Sequence, residues 1–533
     1  MPTASSPQAA IKQNPQAAFD RALGFLRSGD LPKALALCKH IVSAMPAFAD
    51  AWLLLGQLQL DIQRPERALQ CVERALDLNP GNLKAELLRA ECLIADCQGA
   101  AALTALKSLE SSSQDQALML RLVANLYAGL LSYDDASRCF QRSLKLDPND
   151  MEGWHLYSGV LFARGLMAEA EDALNEVLRL NPQHGEALLT RSSMRKQTEQ
   201  DNHLEQLEGM LEAGQLSPED TVMLCYALAR EFEDMGEYPA AFRYLQQGAD
   251  KKDSLLNYEV ERDVAFMDKL ALSFSQEISG RQTNSALGEG LVFIVSLPRA
   301  GSTLVDRILA THSSVQSLGE TGAFHEALLQ HARRASAAKK MTFTDALTHI
   351  NYASLGETYL GKLKNYAANT PVLIDKTPAN LQYLGLLHQA LPAAKIVHVQ
   401  KSPMDACYSV YKTYFNRGYG YSYSLQKLGR YYIAYQRMMD YWREALHGAF
   451  LELSYEQLLD SQEVQTRRLL EYCGLDWQQQ CMDFHLNSSP TATASVVQVR
   501  QPLFRSSLQR WRCYEEQLAP LAAILRDADI EIG

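Results

Sequence analysis

The residues best equipped for chemistry lie in one short stretch, Pro298-Arg299-Ala300-Gly301-Ser302-Thr303-Leu304. A guanidinium, a glycine and two hydroxyls in succession are the ingredients of an anion site, because arginine offers a fixed fork of donors and the hydroxyls add more. Two further basic residues sit in similar settings, Lys376 in Ile374-Asp375-Lys376-Thr377-Pro378 and Lys401 in Val399-Gln400-Lys401-Ser402-Pro403. Each of the three follows a run of apolar, β-branched residues. In a chain of net charge −11, such a local gathering of cations points to an anionic ligand, and no metal has to be invoked.

Positioning these residues requires strands that end where helices begin. Leu291 to Val295 reads as a strand buried in a parallel sheet, and Leu304, Ile308 and Leu309 return at helical spacing. Strand, glycine-containing turn and helix turn backbone N–H groups and a helix N-terminus toward a phosphate. Strands are expected at Leu291–Ser296, Val372–Ile374, Lys395–Val399 and Ala449–Leu453, alternating with amphipathic helices. That alternation predicts an α/β domain with a central parallel sheet, whose ligands bind at the C-terminal ends of the strands.

The first half of the chain repeats. Proline falls at 46, 80, 148 and 182, in register with a period of 34 whose skipped position is Gln114. Alanine recurs on the same frame at Ala34, Ala68, Ala102, Ala136 and Ala170, and Gly29 and Gly165 share one offset. Small residues let paired helices approach closely, and the prolines end each unit. The pattern resembles the tetratricopeptide repeat, which implies a helical solenoid. The unit from Leu83 to Gln116 lacks the proline and has a charged first helix with Glu86 and Arg89, so the array is expected to depart from its regular form there. The period breaks at Met194 to Asp201 and resumes around Leu228 to Ala241 as one more helix pair.

The whole chain sets bounds. At 533 residues it needs more than one core, and 47% hydrophobic with 21% charged residues is the make-up of an ordinary soluble protein. The negative charge argues against nucleic acid as a partner. No apolar run reaches membrane-spanning length, and the N-terminus has no signal pattern. The ten cysteines are scattered without a CxxC pair, as idle thiols of a cytoplasmic protein would be.

Aligned on Gly301, the loop has Ser296 where an ATP-binding P-loop has its first glycine and Ser302 where that loop has lysine, which disfavours a kinase. The stretch instead resembles the phosphosulfate-binding loop of sulfotransferases, although those loops often have serine at the place of Ala300. Lys401-Ser402-Pro403-Met404-Asp405-Ala406-Cys407-Tyr408-Ser409 is similar to that family's 3′-phosphate motif, with Lys401 where arginine is usual. His312 to Thr321 and Asp375 to Pro378 resemble the branch that includes tyrosylprotein sulfotransferases. A bacterial-type group joining tetratricopeptide repeats to this domain is similar over most of the chain. Ser495 to Pro502 is similar to a late cofactor-lid segment, with Gln501 in place of its usual lysine.

The resemblance implies a sulfotransferase that uses 3′-phosphoadenosine 5′-phosphosulfate (PAPS) and no metal. Arg299, Ala300, Gly301, Ser302, Thr303 and Leu304 would hold the phosphosulfate end, and Lys401 with Ser409 the 3′-phosphate. Ser495, Gln498, Arg500 and Arg505 would contribute from the lid. Lys376 would steady charge on the leaving phosphate, and Glu320 would be the general base on an acceptor hydroxyl, with His325 and Glu326 as alternatives. Asp405 and Glu456 read as structural carboxylates, and the tyrosines from Tyr408 to Tyr423 as core and lid.

The implied fold is an N-terminal α-helical tetratricopeptide-repeat solenoid followed by a P-loop-like α/β sulfotransferase domain. The expected boundaries are a disordered segment at 1–14, repeats over 15–253 (15–48, 49–82, 83–116, 117–150, 151–184 and 222–253), a connecting helix and linker at 254–288, and the transferase at 289–533. The repeats are expected to bind a protein or peptide partner; a homodimerisation arm is the other use of such an array. An interaction scaffold that binds nucleotide without transferring is the rival reading, supported by Ala300, Lys401 and Gln501.

Overall fold

The computed structural model describes residues 11–274, 286–339, 341–366, 370–487, 489–490, 499–503 and 508–532. Its N-terminal half is helical. Five helix pairs follow one another: α1 (Pro15–Arg27) and α2 (Leu31–Ala44), α3 (Ala49–Asp61) and α4 (Pro65–Leu78), α5 (Leu83–Ala95) and α6 (Gly99–Ser112), α7 (Ala117–Gly129) and α8 (Tyr133–Leu146), α9 (Met151–Arg164) and α10 (Met167–Leu180). Each pair begins 34 residues after the last, so the period of the sequence is the period of the structure. Ala34, Ala68, Ala102, Ala136 and Ala170 are fully buried on the second helices, where a methyl group lets neighbouring helices close up.

The unit from Leu83 to Gln116 does not depart from the others as expected. Glu86 and Arg89 neutralise one another at 2.8 Å along α5. Asn82 starts that helix by accepting from the N–H groups of Lys84 and Ala85, and at the other end, where Gln114 replaces the proline, the turn is closed by the Gln116 N–H donating to the Ser113 carbonyl at 3.0 Å.

The chain divides into two compact units, Met1–Gly153 with Gly361–Ala367, and Trp154–Leu360 with Ala368–Gly533. In the first, Asn365 donates to the Ile94 carbonyl at 2.7 Å. A Cβ on Gly99 would fall 2.2 Å from the Asn365 carbonyl oxygen, so only glycine permits that approach.

The second unit continues with α11 (Gly185–Met194), a turn closed between Thr198 and Asp201, α12 (Leu204–Ala213), the packed pair α13 (Pro218–Met235) and α14 (Tyr238–Leu255), and α15 (Val260–Phe274). Five strands then form one sheet: β1 (Leu291–Ser296), β2 (Val315–Ser317), β3 (Val372–Asp375), β4 (Lys395–Gln400) and β5 (Leu451–Ser454). All pairings are parallel and the order is β2-β3-β1-β4-β5. β5 begins at Leu451, two residues later than the sequence suggested, and β2 was not anticipated. Val292, Ile294, Val397, Val399 and Leu453 build the sheet's core with Val305, Ile308 and Leu309 of α16 (Ser302–Ala310). After β1 the chain goes to β2 and β3 on one side, and β4 and β5 lie on the other. The loops after β1 and β4 therefore leave the sheet at its topological switch point, where open α/β sheets place ligands.

Among the described residues no helix is long and apolar enough to cross a membrane. All ten cysteines are free, and eight of them are buried.

Candidate active site

The loop after β1 bends through two left-handed residues, Arg299 at φ +65° and Gly301 at φ +105°. Gly301 precedes the first turn of α16 as its cap and, lacking a side chain, leaves that turn's N–H groups uncovered. A Cβ there would fall 2.5 Å from the Tyr455 ring, so glycine is demanded both by the backbone angle and by the neighbour. Ala300, Ser302, Thr303 and Leu304 are all buried. Leu304 points into the core, which leaves its backbone alone for a ligand. Burial, with Arg230 nearby, draws the Arg299 guanidinium down to about 10.

Beyond β4, Lys401 donates from Nζ to the Ser409 hydroxyl at 2.9 Å and stands 5.3 Å from the centre of the Tyr455 ring. After α16 come α17 (Ala323–Lys339), α18 (Phe343–Leu347), α19 (Tyr352–Leu363) and α20 (Leu384–Ala390). Ser409 is on the next helix, α21 (Pro403–Tyr411), which starts directly after the loop, so the two expected phosphate ligands meet. Burial and the charges of Lys412 and Arg299 pull Lys401 down to about 8, against the opposing pull of Asp405 and Glu456. Those two carboxylates have other duties. Asp405 accepts from the Ser402 hydroxyl and the Gln509 N–H, and Glu456 from the Ser402 N–H and the Ser454 hydroxyl. They shape the loop by engaging both the N–H and the hydroxyl of Ser402.

The ends of β2 and β3 are zipped together past the strands themselves. Leu318 N–H donates to the Ile374 carbonyl at 2.9 Å, and Lys376 N–H to the Gly319 carbonyl at 2.9 Å. This places Glu320 beside Lys376, and the Lys376 ammonium donates to the Glu320 carboxylate. The lysine side chain is 1% exposed and that of Glu320 48%, so the pair has a buried and a solvent-facing partner. A surface pairing of Lys376 with Asp375 does not occur. Asp375 is itself buried and accepts from the hydroxyls of Thr321 at 2.8 Å, Thr377 at 2.6 Å and Tyr359 at 3.0 Å. It thus ties down the residue after Glu320 and the residue after Lys376. Burial raises the Asp375 carboxyl while those bonds restrain it. His325 lies 6.0 Å from the Tyr383 ring, tilted against it.

Other expected residues lie elsewhere. The Arg500 guanidinium contacts the end of α9, where Nη2 reaches the Ala163 carbonyl at 3.4 Å. Ser495, Gln498 and Arg505 fall outside the described residues.

Sequence reasoning missed three contributors. Tyr455 walls both Gly301 and Lys401. Asp306 on α16 is 3% exposed, its Oδ1 has no hydrogen-bond partner, and burial raises its carboxyl within the field of Lys376 and Glu320. Glu233 of α13 is buried and collects Lys412 at 2.8 Å, the Tyr408 hydroxyl at 2.9 Å and Arg510 at 3.5 Å. Burial works to raise its carboxyl, but these partners outweigh it and hold it at about 2. Only the first had a usable signal, an aromatic residue two positions after an expected strand.

Comparison with known proteins agrees with this arrangement. Residues 292–479 match the sulfotransferase family model, and residues 25–77, 63–126 and 123–184 match tetratricopeptide-repeat models. The chain carries tetratricopeptide repeats and a sulfotransferase-family domain. An uncharacterized protein of Aquifex aeolicus is 25% identical over 377 residues, 69% of this chain and 49% of that one, so the chain spans about half that relative's length. A PEX5-related protein of Mus musculus is 35% identical over 68 residues, covering 13% of this chain and 12% of its own. Among solved structures, the sulfotransferase domain from the curacin biosynthetic pathway aligns at a TM-score of 0.32 and 16% identity, covering 47% of this chain and 100% of that domain. YrrB, described as a tetratricopeptide-repeat protein with an unusual peptide-binding site, aligns at 0.29 and 18% identity, covering 35% of this chain and 99% of its own.

Proposed function

We propose that this chain transfers a sulfuryl group from PAPS to an acceptor hydroxyl. The observation that carries the reading is the convergence of three strand ends: the glycine-walled loop after β1, the Lys401–Ser409 pair after β4, and the Lys376–Glu320 pair between β2 and β3. The donors fit an anionic nucleotide. Gly301 brings no side chain over the start of α16, where phosphate-like groups are favoured, and the space a Cβ would take is filled by the Tyr455 ring. The neighbouring carboxylates Asp405 and Glu456 are consumed by their own hydrogen bonds.

In this reading Arg299, Ser302, Thr303 and the backbone N–H groups of the first turn of α16 hold the phosphosulfate end, and Lys401 with Ser409 holds the 3′-phosphate. PAPS supplies the activated sulfuryl group. Glu320 accepts the proton of the attacking hydroxyl, and Lys376 offers its charge to the oxygen that leaves with the phosphate. The ion pair between them gives the order of events. The Glu320 oxygen that accepts from the Lys376 ammonium is engaged, so it takes the hydroxyl proton only when Lys376 turns toward the leaving oxygen. Charge relief and base activation are then a single movement. Asp375 keeps both loops in place while it happens.

The repeats are proposed to bind a protein or peptide, which makes a macromolecular acceptor the favoured class, and the protein is proposed to work in the cytoplasm. The test is turnover: purified protein with PAPS and a panel of peptide, carbohydrate and phenolic hydroxyls, read as release of 3′-phosphoadenosine 5′-phosphate. Release with at least one class is the expected result. Binding without release across the panel would establish the interaction scaffold instead, and failure to bind PAPS would remove both.

A further inference from the structure

Helix α13 meets the loop-bearing helix α21 through one face. Tyr226, Arg230 and Glu233 are spaced i, i+4 and i+7, so they form a single stripe. The Tyr226 hydroxyl donates to the Tyr411 carbonyl at 3.3 Å, while Glu233 receives the Tyr408 hydroxyl at 2.9 Å and the Lys412 ammonium at 2.8 Å. Both ends of the stripe therefore rest on residues 408 to 412. Ser409 lies inside that span and holds Lys401. Arg230 stands in the middle of that stripe, and its charge acts on Lys412 at the end of the same span.

Its donors are not fully used. Arg230 Nε is buried without a hydrogen-bond partner. Asp234, one turn on, lies 3.6 Å from it, a distance that balances charge without accepting a hydrogen bond. The side chain is nevertheless 36% exposed, so the guanidinium is not sealed away from a ligand. Its charge also reaches the site, because it depresses both Arg299 and Lys412.

We infer that Arg230 is a third ligand of the 3′-phosphate, delivered to the nucleotide site by the helix pair that follows the repeats; this rests on the sulfotransferase reading above. The chemistry explains why a lysine suffices at 401. An ammonium is a point charge, whereas a guanidinium presents two parallel donors to phosphate oxygens. With Lys401 supplying charge and Ser409 a hydroxyl, Arg230 supplies the fork that Lys401 lacks.

The test is calorimetric binding of 3′-phosphoadenosine 5′-phosphate and of adenosine 5′-phosphate, which differ only in the 3′-phosphate. Arg230→Gln should weaken the first about tenfold or more, the loss typical of a charge-assisted bond, and the second less than about twofold. Arg230→Lys, which keeps the charge and most of the length, should fall between and serves if the glutamine variant does not fold. Equal losses on both ligands, or none on either, would overturn the inference. Asp234→Asn separates a merely structural pair: if it and Arg230→Gln lower the melting temperature alike and both keep the preference for the 3′-phosphorylated ligand, Arg230 only braces its helix. Ser409→Ala distinguishes the underlying reading. If wild-type protein shows no preference between the ligands, the PAPS site itself is misassigned. If Ser409→Ala loses the preference and Arg230→Gln keeps it, Arg230 alone is.

Discussion

Glu320 and Lys376 neutralise one another across the ends of β2 and β3, and each therefore has a separable signature. Lys376→Ala should cost about 10²- to 10³-fold in turnover, the size of losing one oxyanion donor, while 3′-phosphoadenosine 5′-phosphate binds within a few-fold of wild type. Glu320→Gln should cost about 10²- to 10⁴-fold, as the loss of a general base does. Unchanged turnover in either variant would take that residue out of the chemistry. Lys401 makes a different prediction. Its ammonium is drawn down to about 8, so its charge is present below that pH and lost above it. Affinity for 3′-phosphoadenosine 5′-phosphate should fall about fivefold between pH 8 and 9 as that one proton is lost, and Lys401→Arg should flatten the fall; a slope that survives the substitution would assign it to another group. At this scale the sequence was most informative where residue type and local setting act together, as in Arg299 to Thr303. It was silent on Asp306, whose importance comes from neighbours far along the chain, Glu320 and Lys376.

Among the elements, β1, β3 and β4 were legible because each is a buried, β-branched run that ends in a polar turn. β2 has three residues, too few for any pattern, and it exists because β3 supplies its hydrogen bonds. The repeat helices were legible from their 34-residue period, which a local packing rule writes into every unit. Helix α13 was legible as a helix, but not as a partner of α21, because Glu233 and Lys412 are joined only by the fold. Glu233 contributes stability with a definite sign. Its carboxyl is lowered from 4.5 to about 2, so the contribution is complete above pH 4.5 and disappears as pH falls toward 2. The shift corresponds to roughly 3 kcal/mol at neutral pH. Glu233→Gln should destabilise the second compact unit by about that amount, because Lys412 and Arg510 lose their counter-ion. In denaturant titrations the deficit should shrink by more than half at about pH 3; a deficit that does not change with pH would mean that shape, and not charge, is what Glu233 provides.

For the molecule as a whole, two compact units predict two unfolding events. Added 3′-phosphoadenosine 5′-phosphate should stabilise only the unit that contains the sheet, by about 2.7 kcal/mol at a hundredfold excess over its dissociation constant. Scanning calorimetry would show one transition moving and one stationary. A single transition that shifts as a whole would mean the units melt together. The pairing of repeats with an α/β domain was readable from period and strand pattern. The membership of α13 and α14 in the second unit was not, because both have the look of one more repeat.

That membership bears on how such a protein can be inherited. Tyr226 and Glu233 are bonded to residues 408 to 412, so a gene cut just before Gly290 would separate the sheet from a helix it is built against. The smallest portable cassette starts no later than Trp154, where the second compact unit begins. Exchange of arms between lineages is then confined to the regular units ahead of it, where a recombination joint can fall between two equivalent turns without touching the reacting groups.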